Sequence, residues 1–339
     1  MALSLQNRRY IGNKFKLLNF IDSVIKAENI TFDSFADIFA GTGVVAEHFM
    51  QAGKQIIIND NLYSNFVFYN AWLSNNDYSE QKIQELINYY NTATDYIHDN
   101  YLSDTFSGTY YHYEDAKKLG AIREHLESIK SELSEREYMI LLSSLLYTAD
   151  KIANGVGHFE AFLAKQPEKR GVVLQMLNLQ HYAKSPQIYQ SDANELVKNI
   201  SADVLYLDPP YNARQYVNFY HLLENLAEWK KPKVSGKTLK MPRQEKMSQY
   251  SKAKAKEALK DLVSNAKAKY ILLSYNNTYK ANSGASINKI TEQDIIDILS
   301  SVGEVKKYDT DYEFSDAWTS GKTDFDNHKE ILYVCKLHN

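Results

Sequence analysis

SFADIFAGTGVVAEHF, residues 34–49, passes from an apolar run through a glycine-rich turn into a helical spacing of apolar residues. A strand, a tight turn and a helix in that order form the repeating unit of α/β folds. Three more short apolar runs end in polar clusters: KQIIINDN (54–61), ADVLYLDPPY (202–211) and AKYILLSYNN (268–277). Such runs alternating with helical stretches predict an α/β protein with a doubly wound parallel sheet covered on both faces. In sheets of this kind ligands bind beyond the C-terminal strand ends, which is where the polar clusters fall. KEILYVCKL (329–337) alternates and is expected to close the sheet as an antiparallel strand.

Residues 73–186 follow a different rule. Ile83, Leu86, Ile87 and Tyr90 share one helix face, as do Tyr138, Leu141, Leu142 and Leu145, and no strand–turn–helix unit interrupts them. This predicts a helical insertion at 73–186 within a catalytic domain formed by 1–72 and 187–339. The 339 residues are 44% hydrophobic and 24% charged, a globular composition without wholesale disorder. No stretch approaches the ~20 apolar residues of a membrane span, and the N-terminus does not read as a signal peptide. With a single cysteine, Cys335, expected in the core of a late strand, the chain is expected to be cytoplasmic. The nine histidines show no H-E-x-x-H or similar pairing, so no metal is expected.

Formal net charge is −3, yet Lys230–Ala258 holds ten Lys/Arg against two Glu. Such segregation suits a local anion-binding surface, although a solvated lysine-rich loop would look the same.

The turn after the first strand carries Gly41 and Gly43 behind Phe39 and Ala40. Glycines permit a tight turn and a close ligand approach, but Ala46 stands where a dinucleotide fingerprint has its third glycine. A plain strand–helix turn fits this pattern equally. Asp60, 17 residues beyond Gly43 at the end of IIIND, is placed to accept both hydroxyls of a ribose. Asp37 adds a carboxylate before the turn. An acidic pocket repels a pyrophosphate and attracts a cation, which favours S-adenosylmethionine over NAD.

DPPY, Asp208–Tyr211, is the second site. An exocyclic ring amine is a poor nucleophile because its lone pair is delocalised. Acceptors on both amino hydrogens would free that pair, and Asp208 and the Pro209 carbonyl can supply them. Pro209 and Pro210 fix φ and remove N–H donors, so the turn presents carbonyls, while Tyr211 offers a face for a planar base. With the usual aspartate pKa of about 3.9, Asp208 is expected to be ionised at neutral pH.

On these residues the chain resembles the adenine-specific amino-group DNA methyltransferases of the D12 class, related to Dam and to the methylase of the FokI system. DPPY resembles their catalytic motif and FAGTG (39–43) their cofactor loop. RRYIGNKFKLL (8–18) is similar to the motif preceding that loop, with Tyr10, Gly12 and Lys14 at the matching positions. SDANEL (191–196) resembles the acidic motif before DPPY, which implies that Asp192 and Ala193 meet the cofactor's adenine. KIANGVGHFEAFL (151–163) and KEILYV (329–334) are similar as well, although much of the insertion is unmatched.

The resemblance implies a Rossmann-like methyltransferase sheet with a helical target-recognition domain inserted at 73–186. It also implies transfer of a methyl group from S-adenosylmethionine to N6 of a flipped adenine in double-stranded DNA, within a restriction-modification system; a monomer is expected. In that setting Arg214, Lys237, Lys240 and Arg243 are candidates for phosphate contacts. His158, in the matched GVGHFEAF segment, fits a structural role at least as well. Two rival readings are an RNA-base amino-group methyltransferase and a non-catalytic DNA-binding module with this fold.

Overall fold

Each apolar run forms a strand. In the computed structural model, which describes residues 3–278, 287–311 and 329–338, the strands are β1 (Ser34–Asp37), β2 (Gln55–Asn59), β3 (Gln187–Tyr189), β4 (Ala202–Leu207), β5 (Ala268–Asn276), β6 (Gly303–Asp311) and β7 (Lys329–Leu337). The helices in chain order are α1 (Leu18–Ala27), α2 (Val44–Gln51), α3 (Tyr63–Trp72), α4 (Glu80–Thr92), α5 (Tyr101–Phe106), α6 (Tyr113–Ser128), α7 (Glu135–Ile152), α8 (Ala193–Val197), α9 (Tyr216–Glu228), α10 (Ala255–Ser264) and α11 (Glu292–Ser300). No helix among the described residues is long and apolar enough to cross a membrane.

The sheet has seven strands in the order β3-β2-β1-β4-β5-β7-β6. All neighbours pair in parallel except β7, which is antiparallel to both β5 and β6. This is the Rossmann-like doubly wound arrangement. From β1 the sheet grows toward β2, and from β4 it grows the other way, toward β5. The chain therefore leaves β1 and β4 in opposite directions, and a crevice opens beyond their C-terminal ends. Phe35, Ala36, Val204, Leu205, Ile271 and Leu272 are fully or almost fully buried, which explains why these strands read as continuous apolar runs. KEILYVCKL is antiparallel as expected, but it lies inside the sheet, with β6 forming the edge.

Two compact units make up the chain. The sheet unit comprises Asn13–Asn61, Pro186–Tyr216 and Lys246–Asn339, and the helical unit comprises Met1–Gly12, Leu62–Ser185 and Val217–Glu245. The helical unit therefore starts earlier than residue 73 and also takes in segments 1–12 and 217–245. One cause is α3, where Val67, Phe68, Tyr69, Ala71 and Trp72 are all buried, so its sequence shows no polar face. It packs on α7, which is itself buried around most of its circumference. Helix starts are tied together by Glu137: it accepts from Ser134 N at 2.8 Å, closing the capping box of α7, and from Ser79 N at 2.9 Å, at the start of α4.

Candidate active site

The loop after β1 is shaped by its glycines. Gly41 and Gly43 adopt φ of 53° and 84°, a region that side chains rarely enter, and Gly43 caps α2. Ala40 N donates to Asn59 O (3.0 Å), and Gly41 N donates to Asp60 Oδ2 (3.0 Å). The ends of β1 and β2 are thus joined, and Asp60 is held beside the glycine turn.

Asn59, which sequence reading passed over, is the clamp of this region. Its amide donates to Ile38 O (3.0 Å) and Ser191 O (3.1 Å) and accepts from Ser191 N (2.9 Å). Ser191 in turn leads into Asp192, whose carboxylate caps α8 by accepting from Asn194 N at 2.9 Å. Ala193 is buried in the core behind it. Phe39 lies edge-on to Tyr250, with ring centroids 5.1 Å apart, and Tyr250 bonds Asn194 through its hydroxyl (2.8 Å).

Asp37, at the end of β1, is 1% exposed. Burial, followed by the nearby Asp208 and Asp60 carboxylates, holds its pKa well above the usual range, against the amides of Phe39 and Ala46. Among the described residues its Oδ1 has no hydrogen-bond partner.

β4 delivers DPPY to the neighbouring strand end, since Asp37 pairs with Tyr206. Burial pushes the Asp208 carboxyl up to about 6, with Lys14 opposing and Glu330 adding to the shift. Aspartate's ordinary pKa therefore does not apply here, although the group is still largely ionised at neutral pH. Tyr211 packs edge-on to Tyr275 (5.2 Å), and its backbone oxygen accepts from Lys289 N (2.7 Å).

Lys14 sits at the centre of this cluster. It is 5% exposed, and its ammonium lies 3.1 Å from Asp208 Oδ1 and donates to Tyr211 Oη at 2.9 Å. Burial alone would lower its pKa, but Asp208, Glu330 and the Tyr211 and Tyr206 phenols outweigh burial and raise it well above the usual value. Within its own unit, then, Lys14 is grouped with DPPY. Tyr10 and Gly12, its companions in the motif, belong to the helical unit. There Tyr10 stacks on Tyr220 at 4.6 Å and 3°, and Gly12 turns the chain at φ 78°.

Residues 10–307 match the D12 class N6 adenine-specific DNA methyltransferases. The chain belongs to this family. It is similar to the type II methyltransferase M.NlaIII of Neisseria lactamica, with 34% identity covering 97% of this chain and 98% of the relative. Modification methylase StsI of Streptococcus sanguinis is 36% identical over 86% of this chain, and M.FokI of Planomicrobium okeanokoites 34% over 88%. The matched regions make up 46% and 48% of those two longer proteins. D12 membership favours neither the RNA-base reading nor the non-catalytic module.

The basic candidates of this D12 enzyme are unlike one another. The lysine-rich segment is divided between the units after Glu245. Lys237 is exposed on a tight turn closed by Ser235 and Lys240 backbone bonds of 2.9 Å. Lys240 is paired with Glu160 at 3.0 Å, and Arg243 bonds the Asn218 side chain and Met241 O. Arg214 is exposed in the sheet unit, its amide on Asn212 Oδ1 at 3.0 Å. His158 Nδ1 accepts from Glu160 N (3.1 Å), which fits a structural role in its loop.

Glu330 was missed among the acids. A signal existed: an antiparallel strand brings its beginning, not its end, to the edge where parallel strands finish, and Glu330 pairs with Asn276 there.

Proposed function

We propose that this D12 enzyme methylates N6 of a flipped adenine at a short specific DNA sequence using S-adenosylmethionine, as the modification partner of a restriction endonuclease. The observation that carries the chemistry is that Asp37, paired with Tyr206, and DPPY just beyond it stand on adjacent strand ends at the switch point of the sheet. The residues suit the cofactor. An orphaned, buried Asp37 Oδ1 calls for a cationic partner such as an ammonium, and Asp60 beside Gly41 suits a ribose. Phe39, Ala40, Gly41 and Gly43 would form the wall of that pocket, and Asp192 and Ala193 its adenine end.

When bound there, S-adenosylmethionine would supply an electrophilic sulfonium methyl for adenine N6, the electron pair of the broken C–S bond staying on sulfur. Asp208 and the Pro209 carbonyl hold the two N6 hydrogens, and ionised Asp208 accepts the proton released. Pro210 and the packed Tyr211 fix the turn, and Tyr211 lends a ring face to the base. Flipping costs a few kcal/mol of stacking, which contacts to the extruded base offset. The helical unit is the proposed reader of DNA sequence, with Arg214 and Lys237 on phosphates. The modification role rests on the names of the similar type II methyltransferases and modification methylases.

The test is incubation of purified protein with S-adenosylmethionine and unmethylated genomic DNA, followed by mapping of modified bases. N6-methyladenine at one recurring sequence is expected. No methylation of DNA, alongside a working control enzyme, overturns the proposal.

A further inference from the structure

Glu330 is a charged residue in a strand that otherwise packs apolar side chains: Ile331, Leu332, Tyr333, Val334 and Cys335 are all buried. At 5% exposure it gains little from solvent, and a carboxylate in that position costs stability unless a charge meets it. The charge is Lys14, whose Nζ lies 3.9 Å from Glu330 Oε2 while also facing Asp208 Oδ1 and Tyr211 Oη. One buried ammonium therefore serves two carboxylates.

We propose that Glu330 is a positioning residue for methyl transfer: its carboxylate, 3.9 Å from the Lys14 ammonium, helps hold that ammonium against Asp208 and Tyr211. This rests on the methyltransferase reading given above. Electrostatics and geometry agree. Among the described residues, the groups facing Asp208 and its neighbours are Lys14 from the N-terminal segment, Tyr206 of β4, Tyr211, Asp37 of β1, Asp60 after β2, Tyr216 at the start of α9, and Glu330 of β7. Burial is the largest influence on Asp208 and Lys14 opposes it, but Glu330 acts in the same direction as burial and makes Asp208 the better proton acceptor. Activity needs Asp208 ionised, so it is lost as pH falls through the Asp208 pKa. Removing the Glu330 charge lowers that pKa and moves the acid limb of the rate profile down.

The experiment uses the full chain as wild type, Glu330→Gln and Glu330→Asp. It measures single-turnover methyl transfer from pH 5 to 9, S-adenosylmethionine affinity by calorimetry, and the Asp208 carboxyl titration by 13C NMR in free protein. Glu330→Gln is expected to lower the rate at pH 8 about tenfold through loss of alignment. It should leave cofactor affinity within threefold and shift both the acid limb and the NMR titration down by about one unit. Glu330→Asp, which keeps the charge but shortens its reach, is expected to return the acid limb to its wild-type pH while the rate at pH 8 stays below wild type. A folded Glu330→Gln protein with wild-type rate and an unmoved titration overturns the proposal. If that variant fails to fold, Glu330→Asp decides: wild-type rate with the carboxylate one methylene shorter also overturns it. Should the wild type methylate no DNA, the NMR shift still reports on Glu330, so the two readings fail separately.

Discussion

The two units bury the same kinds of side chain and employ them differently. In the helical unit, buried ions satisfy backbone. Glu224 accepts from Tyr63 N (2.7 Å) and Ser64 N (2.9 Å) at the start of α3, and Asp115 from Arg170 N and Gly171 N. Arg123 donates to Leu226 O and Ala227 O. In the sheet unit, Lys14 faces Asp208 and Glu330, and among the described residues Asp37 keeps an unpartnered oxygen. A buried charge that closes a helix end belongs to the scaffold. One that faces another charge at the edge of a sheet crevice, as Lys14 and Asp208 do, is a candidate to meet a ligand.

That contrast can be broken most readily at Asp208. Asp208→Ala should lower methyl transfer by about a thousandfold or more while cofactor affinity changes little. Near-normal turnover would place the chemistry elsewhere. On the helical side, Glu224→Ala should cost about 2–4 kcal/mol of stability by stranding two buried N–H groups, as read from a urea midpoint. An unchanged midpoint would mean that the carboxylate is not acting as scaffold.

His221 gives a pH test confined to the helical unit. It is fully buried with Nε2 on Phe159 O, and burial pulls its pKa down to about 4. The unfolded chain, with an ordinary value near 6.5, binds the proton first. The stability due to neutral His221 is therefore complete above pH 6.5 and falls as pH drops toward 4, with a limit of about 3 kcal/mol. His221→Gln should remove that slope, and a slope that persists would assign it to other groups. The smallest effect is expected at the surface. Lys237→Ala should flatten the plot of log affinity for DNA against log salt by about one. Lys240→Ala and Arg243→Ala, already engaged within the protein, should flatten it less; equal effects would show that those contacts open on DNA.

Sequence disclosed the centre of the sheet better than its borders. β1, β2, β4 and β5 are apolar runs because both faces are covered, and their ends announce themselves through Gly41, Asp60 and DPPY. β3 is three residues with little burial, and β6, GEVKKYDTD, is an edge whose charges read as loop. Lys14 was legible only as a motif position. Its bonds to Asp208 and Tyr211 join residues nearly two hundred apart, and no local pattern encodes such a meeting. Glu330 was obscured because its importance depends on strand direction. The membership of segments 1–12 and 217–245 in the helical unit is likewise a fact of packing.

The pairing of β1 with β4 also has a consequence for how the protein is made. Asp203 Oδ2 accepts from Ser34 N at 3.0 Å across 169 residues of chain. The crevice cannot exist until that long loop has closed, and contacts so distant in sequence slow folding. Residues 62–185 fall inside the loop and form most of a compact unit of their own. A compact segment inside the loop shortens the effective tether and reduces the entropy of closure. Synthesis of β4 is therefore the earliest moment at which the crevice between β1 and β4 can assemble.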